Sequence, residues 1–503
     1  MTLAARAALG ALSAIALIGA APPPAPTIEA WRTTGDGSER MTSVALGKPG
    51  PDAVPVAVDP DKSFQTMVGF GAAITDASAI TLMRMTPDRR TALMRELFGK
   101  GPGALRLGFT RLTIGASDFS ATHYSLDDPP PGKSDLALRY FSIAPNRTAL
   151  LPATRQALAI NPGLVVMASP WSPPGWMKTG GSMIGGTLKP DLYPVYARYL
   201  VRWTQALAAE GVKLRYLTIQ NEPGFEPKDY PGMLWPAAGR ARFIANDLGP
   251  ALDRARLGTR ILDWDHNWDK PDEPLGVLGD ARARRYVAGV AWHCYGGEVP
   301  TQSRVRDAFP DKDAFLTECS GGEWNPGWQN GFSDVVHNLL IGSVRNWSRG
   351  VILWNLVLDP DRGPHKGGCA TCRGVVTVDP ASGAVTRNPE YYALAHVSRF
   401  VHPGADRIAS SSPAGSGIES VAFRNRDDGA IVVLVYNDSD ATRTVSLRIG
   451  DAARGLALPG RSAATLRWAG PVRARPFSAT PAPKSGPGGA RASPRGSIPA
   501  NST

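Results

Sequence analysis

The 503-residue sequence predicts an α/β protein: a TIM (β/α)8 barrel with a side β-sandwich formed by segments from both ends of the chain. Between about residues 64 and 392, short apolar runs alternate with longer amphipathic runs, the order of parallel strands joined by crossover helices. Eight apolar runs occur in this span, and eight such units close a TIM barrel, whose usual size is about 250 residues or more. From Asp406 onward the runs become short and alternating, which is typical of antiparallel strands.

The predicted barrel strands are short apolar runs that lie between helical patterns or turn residues. Helices are predicted at Asp88–Phe98, which follows a Thr-Pro start, at Leu192–Glu210 and at Asp334–Trp347. An open doubly wound sheet is the alternative fold. Such a sheet is expected to have a glycine-rich phosphate loop, and neither GxGxxG nor GxxxxGK(S/T) occurs in the sequence. The eight predicted strands are Met67–Thr75, Ala104–Ile114, Leu164–Ser169, Leu214–Gln220, Arg260–Trp264, Gly289–Cys294, Ala314–Thr317 and Gly350–Leu356.

Alternating runs near the C-terminus predict a small β-sandwich. Residues Thr27–Val58 also look strand-like, and we expect them to join the C-terminal strands, because one hairpin alone would be only marginally stable. The predicted organisation is N-terminal strands at 27–60, a barrel at 61–400 and sandwich strands at 401–469. The C-terminal strands are predicted at Ile418–Asn425, Ala430–Tyr436, Thr442–Ile449 and Ala463–Trp468.

The two ends of the chain predict an exported protein with a disordered tail. Residues 1–21 place one Arg before about a dozen apolar residues and a small-residue stretch, the order of a signal peptide; a retained anchor helix is the alternative. Residues 470–503 carry five basic residues and no acid in a Pro-, Ser-, Gly- and Ala-rich tail that is expected to be disordered. Without this tail the net charge of +11 becomes modest, so nucleic-acid binding is not expected. After residue 21 no stretch offers about 18 uncharged apolar residues, so no mature transmembrane helix is expected.

Cys369 and Cys372 form a single CxxC pair. A zinc site would need two further ligands at matching spacing, and the nearby His365 alone does not supply them. Because export implies an oxidising compartment, a short-loop Cys369–Cys372 disulfide is predicted.

Two glutamates follow predicted barrel strands, at the end of the barrel that carries TIM-barrel active sites. Glu222 follows the fourth strand and Glu318 the seventh, roughly across the barrel mouth; each could instead be a structural glutamate paired with an arginine. Two carboxyls about 5 Å apart would match a retaining glycosidase. One carboxylate attacks the anomeric carbon, and the other donates a proton and later deprotonates water. Arg111, in the second strand, is the cation expected to keep the nucleophile ionised.

Six motifs, in order along the chain, resemble glycoside hydrolase family 30. The similarity is greatest to its glucosylceramidase and β-glucosidase branch, with endo-β-1,6-glucanases as near relatives. The resemblance covers about residues 60 to 468 and implies a TIM barrel with a side β-sandwich, and retaining hydrolysis without a metal or other cofactor. The motifs are MVGFGAAITDASA (67–79), ASPWSPPGWMKTGG (168–181), YLTIQNEP (216–223), VAWHCYGG (290–297), FLTECSGG (315–322) and LWNLVLDP (353–360).

The resemblance also implies roles for individual residues. Glu222 matches the family's acid/base and Glu318 its nucleophile. For two tryptophans in these motifs, plain core packing is the alternative. The other matches are Asn221 at the sugar 2-hydroxyl, Asp76 and Trp171 at the far hydroxyls, Trp354 as the floor under the ring, and His293 and Tyr295 beside the nucleophile.

Cys294 and Cys319 directly follow His293 and Glu318 on strands that are predicted to be neighbours. Positions one past the inward-facing residues bring both sulfurs within reach, so a Cys294–Cys319 disulfide is predicted; two free buried thiols are the alternative. The loop Pro364–Arg373 differs from that of animal glucosylceramidases, and its CxxC resembles bacterial members whose specificities vary.

The sequence therefore predicts a secreted or periplasmic, monomeric enzyme that hydrolyses β-glucosidic bonds of a glycolipid or β-glucan, in the manner of a glucosylceramidase. The first alternative is an endo-β-1,6-glucanase, which would have an open groove instead of a pocket closed by Asp76 and Trp171. The second alternative, from another class, is a carbohydrate-binding protein without activity. A lyase or aldolase would want a Schiff-base lysine at a strand end, and no predicted strand ends in Lys.

Overall fold

The computed structural model of the protein describes residues 27–470. The predicted signal peptide, 1–21, and residues 471–503 of the predicted tail lie outside the described residues. Between residues 27 and 470, no helix is both long enough and apolar enough to cross a membrane.

Eight parallel strands form a closed barrel, in which the eighth strand pairs with the first. The barrel interior is packed with side chains: the rings of Phe109, Tyr216 and Phe315 meet at centroid distances between 4.9 and 6.2 Å. The predicted TIM barrel and its eight predicted strands are confirmed. In chain order the strands are Gly69–Ala73, Phe109–Ile114, Val165–Pro170, Tyr216–Thr218, Arg260–Asn267, Val287–His293, Asp313–Glu318 and Ser348–Asn355.

Two of the three predicted helices are present, at Pro87–Phe98 and Tyr193–Ala209, with ends that differ by one residue. The third prediction, Asp334–Trp347, is wrong in its bounds. An α-helix over Trp328–Asp334 continues directly into π-helical Val335–Gly342. Apolar spacing reports which face is buried, and it does not report the extra residue per turn of a π-helix.

The remaining helical segments lie mainly in the connections between barrel strands. They are Asp76–Arg84, Ala144–Thr148, Leu150–Ile160, Gly175–Met177, Pro190–Leu192, Ala237–Phe243, Ile244–Leu248, Gly249–Ala255, Asp272–Gly279, Ala281–Arg284, Thr301–Ala308, Ser343–Arg345 and Pro389–Ser398.

Nine strands from both ends of the chain form the side domain, around a buried apolar core of its own. The first strand, Thr27–Thr33, pairs antiparallel with the last, Ala463–Ala469. The predicted joining of the two chain ends is therefore confirmed. In sheet order the strands are Thr42–Ser43, Thr27–Thr33, Ala463–Ala469, Ile431–Asn437, Ile418–Arg424, Asp406–Ser411, Val54–Thr66, Arg443–Ile449 and Ala452–Leu458.

Two strands of this domain have no clear signal in the sequence. Asp406–Ser411 is mostly polar, and Ala452–Leu458 is rich in Ala and Gly, so both have weak β-propensity. They form strands because each has an antiparallel partner in the fold, Val54–Thr66 for the first and Arg443–Ile449 for the second.

Three barrel strands have irregular registers at their carboxyl ends. Such a β-bulge inserts an extra residue into one strand and turns the neighbouring side chains to new directions. The bulges therefore change which side chains face the mouth of the barrel. The register shifts lie between Trp264 and His266, between Leu316 and Glu318, and between Leu353 and Asn355.

Candidate active site

Glu222 and Glu318 lie together at the carboxyl end of the barrel. Glu318 is the last residue of the seventh strand, while Glu222 follows the fourth strand and donates its backbone N–H to the Asp265 carbonyl at 3.0 Å. A carboxylate oxygen of each glutamate and a ring nitrogen of His293 lie within 4.8 Å of one another. The side chains are 7% exposed for Glu318 and 15% for Glu222, so both carboxyls are largely removed from water.

Glu318 is held by a buried cation and a phenol. Arg111 donates from Nη1 to Oε2 at 2.5 Å, and the Tyr295 hydroxyl donates to Oε1 at 3.1 Å. The second terminal nitrogen of Arg111 donates to Asn221 Oδ1 at 2.7 Å. Burial raises the pKa of Glu318, and the charges of His293 and Arg111 oppose that rise. Arg111 and Tyr295 therefore stabilise negative charge on this carboxylate.

Glu222 contacts two histidines. His293 Nδ1 lies 3.0 Å from Glu222 Oε1, and His266 Nε2 lies 3.8 Å from the same oxygen. Burial would raise the pKa of Glu222, but His266 and His293 bring it below its ordinary value. Burial would lower the pKa of His293, but the Glu318 charge and hydrogen bonds to Asp265 and Glu222 raise it to about 9. Both shifts favour a proton on the imidazole over one on the Glu222 carboxyl.

Asp265 belongs to this site, although no sequence motif singles it out. Its buried carboxylate accepts from Arg111 Nη2 at 2.8 Å and lies 3.1 Å from His293 Nε2. Burial would raise the pKa of Asp265, but the Arg111 charge and the His293 hydrogen bond lower it. The predicted fifth strand stops at Trp264, whereas the observed strand is Arg260–Asn267. An acid directly after a predicted strand is the signal that identifies the two glutamates, and it could have identified Asp265 as well.

Two tryptophans are stacked beside Arg111. The rings of Trp171 and Trp354 lie 4.9 Å apart at an angle of 19°, and the Arg111 guanidinium lies 4.7 Å from the first and 5.3 Å from the second. Phe119 packs edge-on against Trp354. Both tryptophans are only 2% exposed, so they are part of the packed barrel mouth as well as candidates for sugar contact.

Asp76 is hydrogen-bonded to two hydroxyl groups of a neighbouring loop. Its Oδ2 accepts from the Ser120 hydroxyl at 2.6 Å and from the Tyr124 hydroxyl at 2.8 Å. Both partners lie in the loop that follows the second barrel strand, Phe109–Ile114. Asp76 therefore stabilises the loop that contains a further acidic residue, Asp118.

Asp118 and Tyr230 lie within electrostatic range of both glutamates, and no motif predicted either. Burial raises the pKa of Asp118 well above its ordinary value, and the charges of Glu318 and Glu222 raise it further. Asp118 Oδ1 is buried without a hydrogen-bond partner among the described residues. Burial also raises the pKa of Tyr230, and the same two glutamates add to the rise. The available signal for Asp118 was its place four residues after a buried barrel strand.

Both predicted disulfides are present. Cys294–Cys319, with a Cα–Cα distance of 5.4 Å, links the sixth and seventh strands one residue beyond His293 and Glu318. Cys369–Cys372 closes a short turn in the loop after the eighth strand and packs against the aromatic cluster at the barrel mouth. The first disulfide therefore restrains the two strands that carry site residues just where their pairing becomes irregular.

Three groups of described residues bring ligand atoms close enough to hold a metal ion. One is Glu222, His293 and Glu318, whose atoms already contact Arg111, Tyr295 and Asp265. The other two are His337, Glu419 and Asp438, and His402, Asp427 and Asp428.

Comparison with protein families gives two matches that together span most of the chain. Residues 67–401 match the glycosyl hydrolase family 30 TIM-barrel domain, and residues 404–466 match the glycosyl hydrolase family 30 beta sandwich domain. The two matches follow the division between barrel and C-terminal sandwich strands.

The similar proteins include endo-1,6-glucanases and glucosylceramidases. The chain is 35% identical over 452 residues to an endo-1,6-beta-D-glucanase of Neurospora crassa, covering 85% of this chain and 92% of the relative. It is 30% identical over 442 residues to the lysosomal acid glucosylceramidase of Mus musculus, covering 82% and 83%. A solved endo-beta1,6-glucanase structure superposes with a TM-score of 0.81 at 33% identity, covering 88% of this chain and 99% of that one.

Proposed function

This chain belongs to glycoside hydrolase family 30, and from that premise we propose that it cleaves β-1,6-glucosidic bonds within glucan chains with retention of anomeric configuration. In this proposal Glu318 is the nucleophile and Glu222 the acid/base. The observation that carries it is the approach of their carboxylate oxygens to within 4.8 Å. Retaining glycosidases hold their carboxyls about 5–5.5 Å apart, whereas inverting enzymes need a wider gap to admit water.

In the first step, a Glu318 oxygen attacks the anomeric carbon as the bond to the leaving oxygen breaks. Glu222 protonates that oxygen, and the proton comes from the hydrogen bond that it shares with His293. Arg111 and Tyr295 hold the attacking carboxylate ionised and oriented. The product is a glycosyl ester of Glu318 and a free leaving-group alcohol.

In the second step, Glu222 takes a proton from water, and the water oxygen attacks the anomeric carbon and releases Glu318. Esterification of Glu318 has by then removed a negative charge beside Glu222, which lowers the pKa of Glu222 and suits it to act as a base. Two inversions at one carbon give net retention.

Residues beside the two carboxyls are placed to hold the sugar. Asn221, fixed by Arg111, is suited to bind the hydroxyl next to the reacting carbon. The unpartnered Oδ1 of Asp118 is suited to accept a hydrogen bond from a second sugar hydroxyl, which would end its isolation. Trp171 and Trp354, stacked beside Arg111 at the barrel mouth, are candidates for aromatic contact with the sugar ring.

The comparisons favour a β-1,6-glucan over glucosylceramide, which the sequence motifs had suggested as the first substrate. Three endo-1,6-glucanases match at 33–35% identity, whereas the matching glucosylceramidases stand at 30–31%. The solved endo-β-1,6-glucanase structure superposes over nearly its whole length. Glucosylceramide hydrolysis is therefore the second candidate.

The test is to incubate the purified protein with a linear β-1,6-glucan, with glucosylceramide and with an aryl β-glucoside. Endo-cleavage should give a ladder of oligosaccharides from the glucan early in the reaction, and NMR of the fresh products should show the β-anomer first. Glucose as the sole early product, or turnover of glucosylceramide alone, would overturn the endo-glucanase proposal. Tight glucan binding with no product from any substrate would favour a binding protein.

The acid/base assignment has its own test in Glu222→Ala. This variant should lose far more activity on glucosides with poor leaving groups than on activated aryl glucosides, which need no proton. Added azide should restore part of the activity by attacking the glycosyl-enzyme. Equal losses on both substrate types would contradict the assignment.

Export is a further part of the proposal. Two disulfides, Cys294–Cys319 and Cys369–Cys372, suit an oxidising compartment, and the signal-like residues 1–21 would direct the chain there. N-terminal sequencing of the protein recovered from culture medium or periplasm would test this by locating the first residue.

A further inference from the structure

Asp265, on the fifth barrel strand, contacts side chains from five of the other strands. Besides Arg111 and His293, it contacts three hydroxyls: Ser169 Oγ at 2.7 Å, Thr218 Oγ1 at 2.6 Å and Thr317 Oγ1 at 2.7 Å. Its partners therefore come from the second, third, fourth, sixth and seventh strands. The carboxylate itself is wholly buried.

The backbone at this point is arranged to direct the side chain inward. Trp264 and Asp265 have φ angles of 78° and 50°, in the left-handed region that side chains other than Gly disfavour. They form the bulge of the fifth strand. Strain of this kind persists only where the surroundings hold it, and it occurs often at functional sites.

Each carboxylate oxygen of Asp265 is linked to a different glutamate through one intervening side chain. Oδ2 accepts from Arg111, whose other terminal nitrogen donates to Glu318. Oδ1 faces His293 Nε2, and the opposite ring nitrogen faces Glu222. One buried anion therefore lies behind both the cation of the nucleophile and the imidazole of the acid/base.

We propose that Asp265 is a positioning residue for both catalytic carboxyls: it orients Arg111 toward Glu318 and fixes a proton on His293 Nε2, so that Nδ1 exchanges its proton with Glu222. This inference rests on the proposed glycosidase function and adds to it a proton exchange between His293 and Glu222 that Asp265 orients. No bond other than hydrogen bonds forms or breaks at Asp265, and it stays ionised throughout.

The groups around His293 determine how the pair should respond to pH. Glu222, Asp265 and Glu318 are the acids that face it, with His293 Nδ1 3.9 Å from Glu318 Oε1. The rings of His266 and Tyr295 lie 6.2 and 6.1 Å from its own. Since Asp265 is the only one of these acids that touches Nε2 and takes no part in bond making, changing its basicity should change the proton on His293 selectively.

The first variant is Asp265→Asn. We expect kcat/KM on a β-glucoside with a poor leaving group, which needs the proton from Glu222, to fall roughly 100- to 10,000-fold, because the imidazole loses its fixed tautomer and Arg111 loses a partner. The alkaline limb of the kcat/KM–pH profile should move to lower pH, since His293 would hold its proton less tightly. Azide should not rescue the activity, in contrast to Glu222→Ala.

The second variant is Thr317→Val, which keeps every charge and is close in shape. It removes a donor from Oδ1, the same oxygen that accepts from His293, so Oδ1 becomes more basic and the alkaline limb should move to higher pH. The opposite signs of the two shifts distinguish positioning from simple loss of structure. Thr317→Val also keeps the proposal testable if Asp265→Asn does not fold.

The matched control is Asp263→Asn, on the same strand and equally buried, but paired with Arg240 on the outer side of the barrel. It should leave the pH profile of the folded protein unchanged. Asp265→Asn with nearly wild-type kcat/KM, or a Thr317→Val limb that stays or moves to lower pH, would overturn the proposal. A wild-type protein without turnover on any β-glucoside would instead remove the proposed function, so the two failures are distinguishable.

Discussion

Two buried arginines, Arg111 and Arg240, each pair with an aspartate of the same barrel strand, yet their surroundings differ. Arg240, in helix Ala237–Phe243, donates to Asp263 at 3.0 Å and to Glu273 at 2.9 Å on the outer side of the barrel. Arg111 donates to Asp265 and Glu318 at the mouth.

The difference lies in what remains unsatisfied around each arginine. The Arg111 site gathers more carboxylates than cations and keeps buried polar atoms without partners among the described residues, including Arg111 Nε, Asp118 Oδ1 and His266 Nδ1. No such atom belongs to Arg240, Asp263 or Glu273 in the described residues 27–470. Buried charge alone therefore does not distinguish the two arginines, whereas the unsatisfied polar atoms around Arg111 do.

The largest effect should come from the mouth. Glu318→Gln should lower kcat/KM on an aryl β-glucoside by at least about 10,000-fold, because an amide cannot form the glycosyl-enzyme. The free energy of unfolding in urea should change by less than about 1 kcal/mol, because a buried charge is removed while Arg111 keeps Asp265. A large loss of stability together with residual turnover would contradict this expectation and indicate a mainly structural role for Glu318.

The outer arginine should behave in the opposite way. Arg240→Met should cost about 3–5 kcal/mol in urea unfolding, since Asp263 would remain as a buried charge without its cation. The kcat of the folded protein should stay within about twofold of wild type. A variant that keeps its stability but loses turnover would show that the two networks are coupled.

The two disulfides close chain segments of different lengths, so removing them should lower the stability of the protein by different amounts. Replacing Cys294 and Cys319 together by Ala opens a link between residues 25 apart and should cost about 3 kcal/mol. Replacing Cys369 and Cys372, only 3 apart, should cost less, about 2 kcal/mol. Urea unfolding of both double variants measures the difference, and equal costs would contradict the loop-entropy account.

A histidine far from the mouth gives the smallest effect and the opposite pH response to His293. Burial, with Arg399 nearby, lowers the pKa of His396 to about 3, and its Nδ1 lies 2.9 Å from Thr465 of the sandwich. Below about pH 6.5, His396 binds a proton in the unfolded chain but not in the folded chain. The free energy of unfolding should therefore fall as pH decreases from 6.5 toward 3.

The slope from His396 is at most about 1.4 kcal/mol per pH unit. Urea unfolding at pH 7 and pH 5 should therefore show a smaller loss for His396→Gln than for the wild type. An equal loss in the two proteins would mean that His396 is protonated in the folded state.

Much of this protein is readable from local sequence. The eight barrel strands are apolar runs that any parallel sheet must bury on both faces, and the two glutamates stand out because they follow such runs directly. The cysteine pairs follow from the same pattern, because they lie next to strand-end residues or within one turn.

Other features were decided only by tertiary structure. Asp263 and Asp265 are two residues apart and would share a face of a regular strand, yet they bind Arg240 outside and Arg111 inside because a bulge lies between them. Apolar spacing contains no sign of that bulge. Likewise, Asp406–Ser411 and Ala452–Leu458 form strands because they pair with other strands of the sheet. Short-range pattern determines what a segment can be, whereas register and neighbouring charges, which come from distant parts of the chain, determine which side chains meet.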